Sequence, residues 1–423
     1  MNKAGASHPV RLPNLSVTRA WLCEPMFIRM LPAHFIRCSS LLLKKKPVNV
    51  IRGLNANAIC CSLFTVNVTR INSKYMSSGP KKLRTDNMTA KKIGTHNGSF
   101  HCDEVLACFL LRQLPEYKDA EIIRTRDPSV LAQCDVVVDV GGEFDPKRHR
   151  YDHHQRTFTE CFHSLCPEKP WVTRLSSAGL VYLHFGRQLL AHLTQLKEDD
   201  RHLEVLYDKL YEKFVEEVDA IDNGISQCEG EPRYSISSNL SARVGYLNPC
   251  WNSQSQDSEE GFKKALEMVG VEFLDRLNFY QSAWLPARAV VEEAVKQRHQ
   301  VDPSGEVVVF SQGGCPWKEH LFDLEKDLQV ETPIKFVIYP DQNGHWRVQC
   351  VPAGPNTFEN RLSLPEEWRG VRDEALSDLS GIKGCIFVHA SGFIGGNKTQ
   401  EGVLEMARRT LQAAAQSPAN GSS

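Results

Sequence analysis

Apolar residues recur at helical spacing in three stretches of the chain, which predicts helices over residues 103–114, 177–193 and 203–222. Short apolar runs between them are typical of buried strands, and the run 136–138 is the clearest of these. Strands that alternate with helices usually form parallel sheets. We therefore expect an α/β fold with a mostly parallel sheet and helices on both of its faces.

A second, smaller α/β domain is predicted in the last third of the chain. A polar stretch at 248–260 indicates a linker, and a helical stretch broken at Pro286 follows it. Further on, a strand at 385–389 leads toward a glycine-rich turn and a final helix. The predicted boundaries are 1–90 for a leader, 91–247 for the main domain, 248–300 for a linker and connecting helix, 301–412 for the smaller domain and 413–423 for a frayed tail.

The charge of the chain is asymmetric. The formal net charge is −1, but residues 1–80 carry eleven Lys and Arg side chains and a single acid, Glu24. The remaining residues carry 39 basic and 50 acidic side chains. A leader that is rich in Arg, Ser and Leu and poor in acids is typical of a mitochondrial targeting segment, with an untargeted disordered tail as the alternative. A short basic patch at 81–84 is a weak candidate for a nuclear signal.

Composition excludes several classes of protein. The chain has 423 residues, of which 41% are hydrophobic and 24% charged, and this excludes a collagen, a coiled-coil rod and a wholly disordered chain. It has no uninterrupted apolar run of about 18 residues, so we expect no membrane-spanning helix. The 14 cysteines include no Cys-x-x-Cys pair, which favours reduced thiols over a disulfide framework or a zinc site.

Polar clusters follow the predicted strands and helices at four places: 96–104, 139–142, 151–155 and 219–224. The carboxyl ends of parallel strands meet at one edge of a sheet, where ligands bind. Histidine and aspartate side chains at that edge would form a site for divalent metals, and the mixture of imidazole and carboxylate favours Mn²⁺, with Mg²⁺ possible. Asp139 is central in this arrangement and is our candidate to bridge two metals.

Each cluster also has an ordinary interpretation when it is taken alone. His96 could be a core or surface histidine, and the 152–154 segment could be a hydrogen-bonded loop. Asp219 could be a solvated helix acid, and we prefer Asp222 as the ligand from the fourth cluster. A nucleophilic role for Cys102 beside His101 is disfavoured, because chain neighbours seldom face each other. The order of all four clusters favours the metal site.

The clusters together resemble the DHH phosphoesterase superfamily and, more closely, the melanocyte proliferating gene 1 exonuclease family. The stretches that carry this resemblance are 94–104, 138–142, 150–155, 175–180 and 388–396, and it extends from about Lys91 to Leu411. The resemblance implies a 3′–5′ RNA exonuclease that works in mitochondria and the nucleus. It implies one metal held by His96, His101 and Asp139, and another held by Asp103, Asp139, His153 and Asp222.

The resemblance also implies a role for His154, which would face the substrate phosphate. One departure concerns His101, which stands where the superfamily usually has an aspartate and lies one residue farther from His96. This exchange removes one negative charge from the site. Two cations would then activate a water molecule and neutralise the charge of the phosphodiester.

RNA would need local contacts, since the body of the chain is acidic. We expect them in the smaller domain, where the backbone amides of Gly395 and Gly396 could approach a phosphate, Lys398 adds positive charge and Phe393 could stack on a base. The alternative for these glycines is an ordinary turn that needs them for packing. Two further functions stay open: hydrolysis of a small phosphate such as pyrophosphate or a dinucleotide, and RNA binding without catalysis.

Overall fold

The computed structural model describes residues 90–416, so nearly all of the predicted leader lies outside the described residues. The strands are β1 (Lys92–Thr95), β2 (Glu121–Arg124), β3 (Val136–Val138), β4 (Phe144–Asp145), β5 (Arg150–Tyr151), β6 (Val307–Val309), β7 (Phe336–Pro340), β8 (Trp346–Cys350), β9 (Cys385–Val388) and β10 (Ile394–Asn397). The helices are α1 (Cys102–Gln113), α2 (Ser177–Thr194), α3 (Arg201–Leu210), α4 (Glu216–Asp222), α5 (Leu240–Gly245), α6 (Glu259–Phe279), α7 (Leu285–Val301), α8 (Lys318–Asp327), α9 (Asp373–Ser380) and α10 (Gln400–Gln416). Shorter helical turns lie at Pro128–Leu131, Pro146–Arg148, Phe162–Leu165 and Glu366–Trp368.

The first sheet confirms the mostly parallel α/β prediction. Its strand order is β2-β1-β3-β5-β4, and all neighbours are parallel except the β4–β5 pair. The chain leaves β1 for β2 on one side and then returns to β3 on the other side of β1. The strand order therefore reverses between β1 and β3, which opens a crevice beyond their carboxyl ends where ligands bind in such sheets.

Helices cover one face of this sheet with the main hydrophobic core. Helix α1 packs against α2 and α6, and Val105, Leu106 and Leu111 are fully buried in that core. The opposite face is smaller, and the helical turn Pro128–Leu131 covers Val137 there. The three valines of β3 thus face alternately the main core and this second face, as the two-residue period of a strand requires.

The third predicted helix contains a π-helical turn. Helices α3 and α4 are joined by a π-helical turn at Tyr211–Val215. Leu206, Leu210 and Val218, which belong to the predicted apolar stripe, are buried in the main core. The prediction of a helix over 203–222 is therefore confirmed, and the π-helical turn inside it is a feature that the apolar spacing does not show.

The second sheet has the order β6-β7-β8-β10-β9, in which β6 and β7 are parallel and the other pairs antiparallel. Helices α7 and α8 cover one face with their own apolar cluster, and α9 and α10 cover the other. Helix α10 runs to Gln416, so the prediction of a frayed tail from residue 413 is wrong as far as residue 416, because alanines at 413–415 are strong helix formers.

The predicted glycine-rich turn is a strand. Gly395 and Gly396 lie in β10, which is paired with β8 on one side and β9 on the other. A Cβ at Gly395 would lie 2.9 Å from Met406, and one at Gly396 would lie 2.6 Å from the Arg347 guanidinium. These glycines thus permit close packing in the middle of a sheet, and their position is not that of a phosphate-binding turn before a helix.

No helix within residues 90–416 is long and apolar enough to cross a membrane.

Candidate metal centre

The crevice at the strand reversal brings together His96 and Asp139. His96 directly follows β1 and Asp139 directly follows β3, so both lie at the same edge of the sheet. His96 Nε2 lies 3.3 Å from Asp139 Oδ2. The Asp139 amide donates a 3.1 Å hydrogen bond to the Tyr151 carbonyl, which ties the residue to β5. Asp139 has a φ of +59°, a left-handed conformation that aspartate and asparagine tolerate better than most residues.

A first donor group surrounds His96. It consists of His96, His101, Glu104 and Asp139, whose nearest nitrogen and oxygen atoms lie within 4.8 Å of one another. His96 Nε2 is 3.1 Å from Glu104 Oε1. Burial disfavours the imidazolium, but the carboxylates of Asp139 and Glu104 outweigh burial and raise the pKa of His96 to about 10. The two buried carboxylates therefore create a position that favours positive charge.

A second donor group forms around the Asp-His-His segment. It comprises Asp139, Asp152, His153 and His154. The rings of His153 and His154 stack with their centroids 4.4 Å apart. His154 Nδ1 lies 2.8 Å from Asp152 Oδ1, and Asp152 Oδ2 accepts a hydrogen bond from the Gly142 amide. Asp152 therefore fixes both the histidine ring and the glycine turn that follows Asp139.

Asp103 and Asp222 meet in a third group with His101. Asp103 is fully buried, and its Oδ2 accepts a 2.8 Å hydrogen bond from the Ser177 hydroxyl at the start of α2. Burial, followed by repulsion from Asp139 and Asp222, raises the pKa of Asp103 well above its ordinary value. Asp222 lies 2.9 Å from His153 Nε2, which links this group to the second one.

Several buried polar atoms in these groups have no hydrogen-bond partner within residues 90–416: Asp103 Oδ1, Asp139 Oδ1 and His153 Nδ1. Leaving such atoms unpaired costs free energy, so they point to a ligand that they would bind. The donors are imidazole nitrogens and carboxylate oxygens, a mixture that suits transition-metal dications. Burial raises the pKa of the neighbouring Cys102 thiol, which belongs to none of the donor groups. The residues present therefore fit divalent metal ions.

Asp219 and Asp222 have different surroundings. Asp219 is fully buried and accepts hydrogen bonds from the Ser176 amide, the Ser176 hydroxyl, the Gly179 amide and the Tyr211 hydroxyl. Through these hydrogen bonds Asp219 holds the start of α2 in place. Asp222, three residues later, turns toward His153 and Asp103. The structure thus places Asp222, the preferred candidate, among the donor groups and Asp219 outside them.

Three members of the donor groups were absent from the predicted metal-ligand sets: Glu104, Asp152 and His154, the last of which was predicted to contact phosphate. Glu104 belongs to a helix cap, because both of its carboxylate oxygens lie 2.9 Å from the His101 amide. The same carboxylate also reaches His96. Asp152 is part of the Asp-His-His segment itself, so its place in the sequence could have marked it. Nothing in the helical spacing distinguishes Glu104 from an ordinary capping acid.

All six predicted metal ligands lie in the three groups: His96, His101, Asp103, Asp139, His153 and Asp222. His154, the predicted phosphate contact, belongs to the second group and has 62% of its side chain exposed. The four predicted substrate residues lie elsewhere, on or next to the second sheet: Phe393, Gly395, Gly396 and Lys398. Their role in binding substrate stays a prediction.

An open cavity of about 710 Å³ adjoins the donor groups. His101, Asp103, His153, His154 and Asp222 line one side of it. The other side is formed by Arg174, the end of α4 and helix α5. The volume suits a small organic ligand, and five members of the candidate donor groups line the cavity.

A profile of the MYG1 exonucleases, described as an uncharacterised protein family (UPF0160), matches residues 92–411. The chain belongs to the MYG1 exonuclease family. MYG1 exonuclease of Rattus norvegicus is 66% identical over 333 residues, which cover 78% of this chain and 87% of that protein. MYG1 exonuclease of Homo sapiens is also 66% identical over 333 residues, which cover 78% of this chain and 89% of that protein. The donor groups lie inside the region that the MYG1 profile matches.

Similarity to solved structures is much weaker. An uncharacterized protein from Helicobacter pylori G27 aligns with 78% of this chain and 98% of its own, at 11% identity and a TM-score of 0.22. That score carries no argument about the fold or the site. Membership of the MYG1 family therefore rests on the sequence relatives, and the family is a nuclease-like one with a candidate metal centre in this chain.

Proposed function

We propose that the chain is a divalent-metal-dependent 3′–5′ exonuclease that cleaves RNA. The observation that carries this proposal is the overlap of three donor groups at one sheet edge, where Asp139 and His101 each belong to two groups. The names of the MYG1 relatives support exonuclease activity. The proposed substrate, RNA, and the direction of cleavage come from the resemblance of the sequence motifs.

Two metal positions are proposed, one from the first donor group and one from the ligand set that the family resemblance implies. His96, His101, Glu104 and Asp139 would hold one cation, and Asp103, Asp139, His153 and Asp222 the other, with Mn²⁺ as the proposed metal. When bound, such cations make hydroxide available near neutral pH and neutralise charge on a phosphodiester. The chain's own contribution is to hold these donors in place: Ser177 orients Asp103, and the capping bond to the His101 amide orients Glu104.

His154 would stabilise the negative charge of the substrate phosphate. Its Nδ1 is engaged by Asp152, while the side chain lines the open cavity. The bond to Asp152 raises the pKa of His154, although partial burial opposes the rise. A raised pKa favours the imidazolium, which can donate a charge-assisted hydrogen bond to a phosphate oxygen.

Residues of the second sheet would bind a part of the RNA that lies at a distance from the donor groups. Phe393 is half-buried and packs edge-on against His389 with the ring centroids 4.8 Å apart, and Lys398 is exposed. Phe393 lies at one end of β10 and Lys398 at the other, so the aromatic ring would stack on a base and the cation would meet a more distant phosphate of the same RNA strand. The glycines Gly395 and Gly396 would contribute only by letting β10 pack closely.

Cleavage of labelled RNA tests this function. We expect purified full-length chain with Mn²⁺ to shorten a 5′-labelled oligoribonucleotide progressively, and to release a labelled mononucleotide at once from a 3′-labelled one. Chelation of the metal should stop both reactions. Hydrolysis of pyrophosphate without cleavage of RNA would instead favour the small-phosphate alternative. RNA binding with no Mn²⁺-stimulated cleavage would favour a catalytically silent protein.

We further propose that the chain works in the mitochondrial matrix and the nucleus. The support is the basic, acid-poor composition of residues 1–80, which precede the region matched by the MYG1 profile. Deletion of residues 1–90 from a fluorescently tagged chain should remove it from mitochondria. A tagged deletion variant with the same distribution as the full-length chain would contradict a targeting role.

A further inference from the structure

Arg174 is the one fixed cation of the cavity. Among residues 90–416, it is the only lysine or arginine that lines the cavity beside the donor groups. The same cavity is lined by two acids, Asp103 and Asp222, whose negative charge would repel a phosphodiester. Bound metal ions would offset part of that charge, and an arginine is the residue type best suited to add a geometrically defined phosphate contact.

The position of Arg174 is set by its main chain and its neighbours. Its backbone forms a bridge with Cys161, and its carbonyl accepts a 3.1 Å hydrogen bond from the Asn223 side chain at the end of α4. One guanidinium nitrogen, Nη2, donates a 2.8 Å hydrogen bond to the His153 carbonyl. The guanidinium carbon lies 5.6 Å from the Phe158 ring centroid. The group is thus held in one place before any ligand binds.

The guanidinium of Arg174 nevertheless does not use all of its hydrogen-bond donors. Within the described part of the chain it forms no ion pair with a carboxylate, and its buried Nε has no hydrogen-bond partner. Two other half-buried arginines, Arg187 and Arg361, each form two hydrogen bonds with one glutamate, whereas Arg150 donates only to main-chain carbonyls but does not line the cavity. An arginine that is held in place, lacks an acidic partner and lines a cavity is suited to an anion that arrives from solution.

We infer that Arg174 binds a phosphate oxygen of the substrate, and of the nucleoside monophosphate released from it, next to the metal centre. This inference rests on the proposed function for the identity of the substrate. The ligand class is a phosphate ester, and the contact is a charge-assisted hydrogen bond from the guanidinium nitrogens that the His153 carbonyl leaves free. Arg174 then acts on the affinity for the phosphate, while the donor groups act on the metals.

The test compares Arg174→Gln and Arg174→Lys with a matched control, Arg150→Gln. Arg150 is also half-buried and donates to main-chain carbonyls, those of Cys134, Arg148 and His149, but it does not line the cavity. Adenosine 5′-monophosphate and Mn²⁺ are each titrated calorimetrically into the full-length variants, and KM and kcat are measured on an oligoribonucleotide.

For Arg174→Gln we expect binding of adenosine 5′-monophosphate to the Mn²⁺-loaded chain to weaken about 10- to 100-fold, with a similar rise in KM, as for the loss of a charge-assisted phosphate contact. Lysine should restore part of the affinity, because it keeps the charge but not the planar fork. Mn²⁺ affinity should stay at the wild-type value in both variants, and Arg150→Gln should bind the nucleotide normally.

Two results would overturn the inference. One is nucleotide affinity in Arg174→Gln equal to that in Arg150→Gln. The other is a loss of Mn²⁺ affinity and a lower kcat, while the Mn²⁺-loaded variant binds the nucleotide as tightly as wild type. Arg174 would then only position the main chain of His153. If Arg174→Gln does not fold, the lysine variant decides by the same titration. If wild-type chain cleaves no RNA, the proposed function fails, and the nucleotide titration still decides the role of Arg174.

Discussion

Substitution of Asp139 by asparagine should lower the rate of RNA cleavage by roughly 10³-fold or more, because it removes a buried charge shared by two donor groups. Asparagine is the right replacement on structural grounds. Asp139 has a φ of +59°, and asparagine tolerates this left-handed conformation, whereas alanine would add backbone strain. The asparagine side chain also keeps the size of the original, so the loss can be assigned to charge.

Thermal unfolding gives this prediction a readout that does not depend on activity. A ligand that binds the folded state only, at 100 times its Kd, stabilises it by about 2.7 kcal/mol. We therefore expect Mn²⁺ to raise the Tm of the wild-type chain by a few degrees and to raise that of Asp139→Asn much less. Equal Mn²⁺ stabilisation of the two proteins, together with retained cleavage, would remove Asp139 from the metal centre.

Asp135→Asn is the matched control for this experiment. Asp135 directly precedes β3, while Asp139 directly follows it, so the two acids lie at opposite ends of the same strand. Asp135 bonds the Lys91 ammonium and the Lys92 amide and belongs to none of the donor groups. Its substitution should leave both cleavage and the Mn²⁺-dependent Tm shift unchanged.

Substitution of Gly179 by alanine should lower the free energy of unfolding by about 3 kcal/mol, a large effect for a single methyl group. A Cβ at this position would lie 2.2 Å from Asp219 Oδ2, far inside contact distance. Asp219 cannot move without a large cost, because it is fully buried and accepts three hydrogen bonds from the start of α2 and one from the Tyr211 hydroxyl. Burial raises its pKa to about 7 even though those bonds favour the charged form.

The measurement is the urea midpoint of unfolding, with Gly245→Ala as the control. Gly245 is also helical, and a Cβ there meets no atom within 4 Å. Alanine has the higher helix propensity, so the control should be neutral or slightly more stable. Equal midpoints for the two variants would show that α2 and Asp219 adjust freely. Because Ser177 of α2 orients Asp103, we also expect Gly179→Ala to bind Mn²⁺ more weakly.

The sequence predicts most of the metal centre because its signals are local. His96 and Asp139 each follow a short apolar run, and in parallel strands that is enough to bring them to one edge. Glu104 could not be predicted as a metal donor from the sequence, because acids at its position in a helix commonly cap the first turn, as it does with His101. Its second contact, with His96, depends on the way α1 packs over the sheet, and helical spacing does not encode that.

The glycines of β10 illustrate a different limit. Gly395 and Gly396 follow a strand and precede a helix, as a phosphate-binding turn would. What decides their role is the space around them, which Met406 and Arg347 fill from distant parts of the chain. The proposed role of Arg174 also depends on its surroundings. Its guanidinium lines the cavity and has no acidic partner among the described residues, and the sequence alone does not show this.

The π-helical turn at Tyr211–Val215 determines which way the last acids of this helical stretch point. A π turn holds more residues per turn than an α turn, so the helix beyond it is rotated relative to an uninterrupted one, and each residue of offset corresponds to about 100°. An α-helix has 3.6 residues per turn, so apolar residues repeated every four positions move steadily around its surface. The wider π turn reverses part of this movement, and Leu206 and Val218 are therefore buried in the same core. A regular α-helical turn over Tyr211–Val215, with no residue lost, would therefore spare the hydrophobicity of the helix and still swing Asp219 and Asp222 away from their partners.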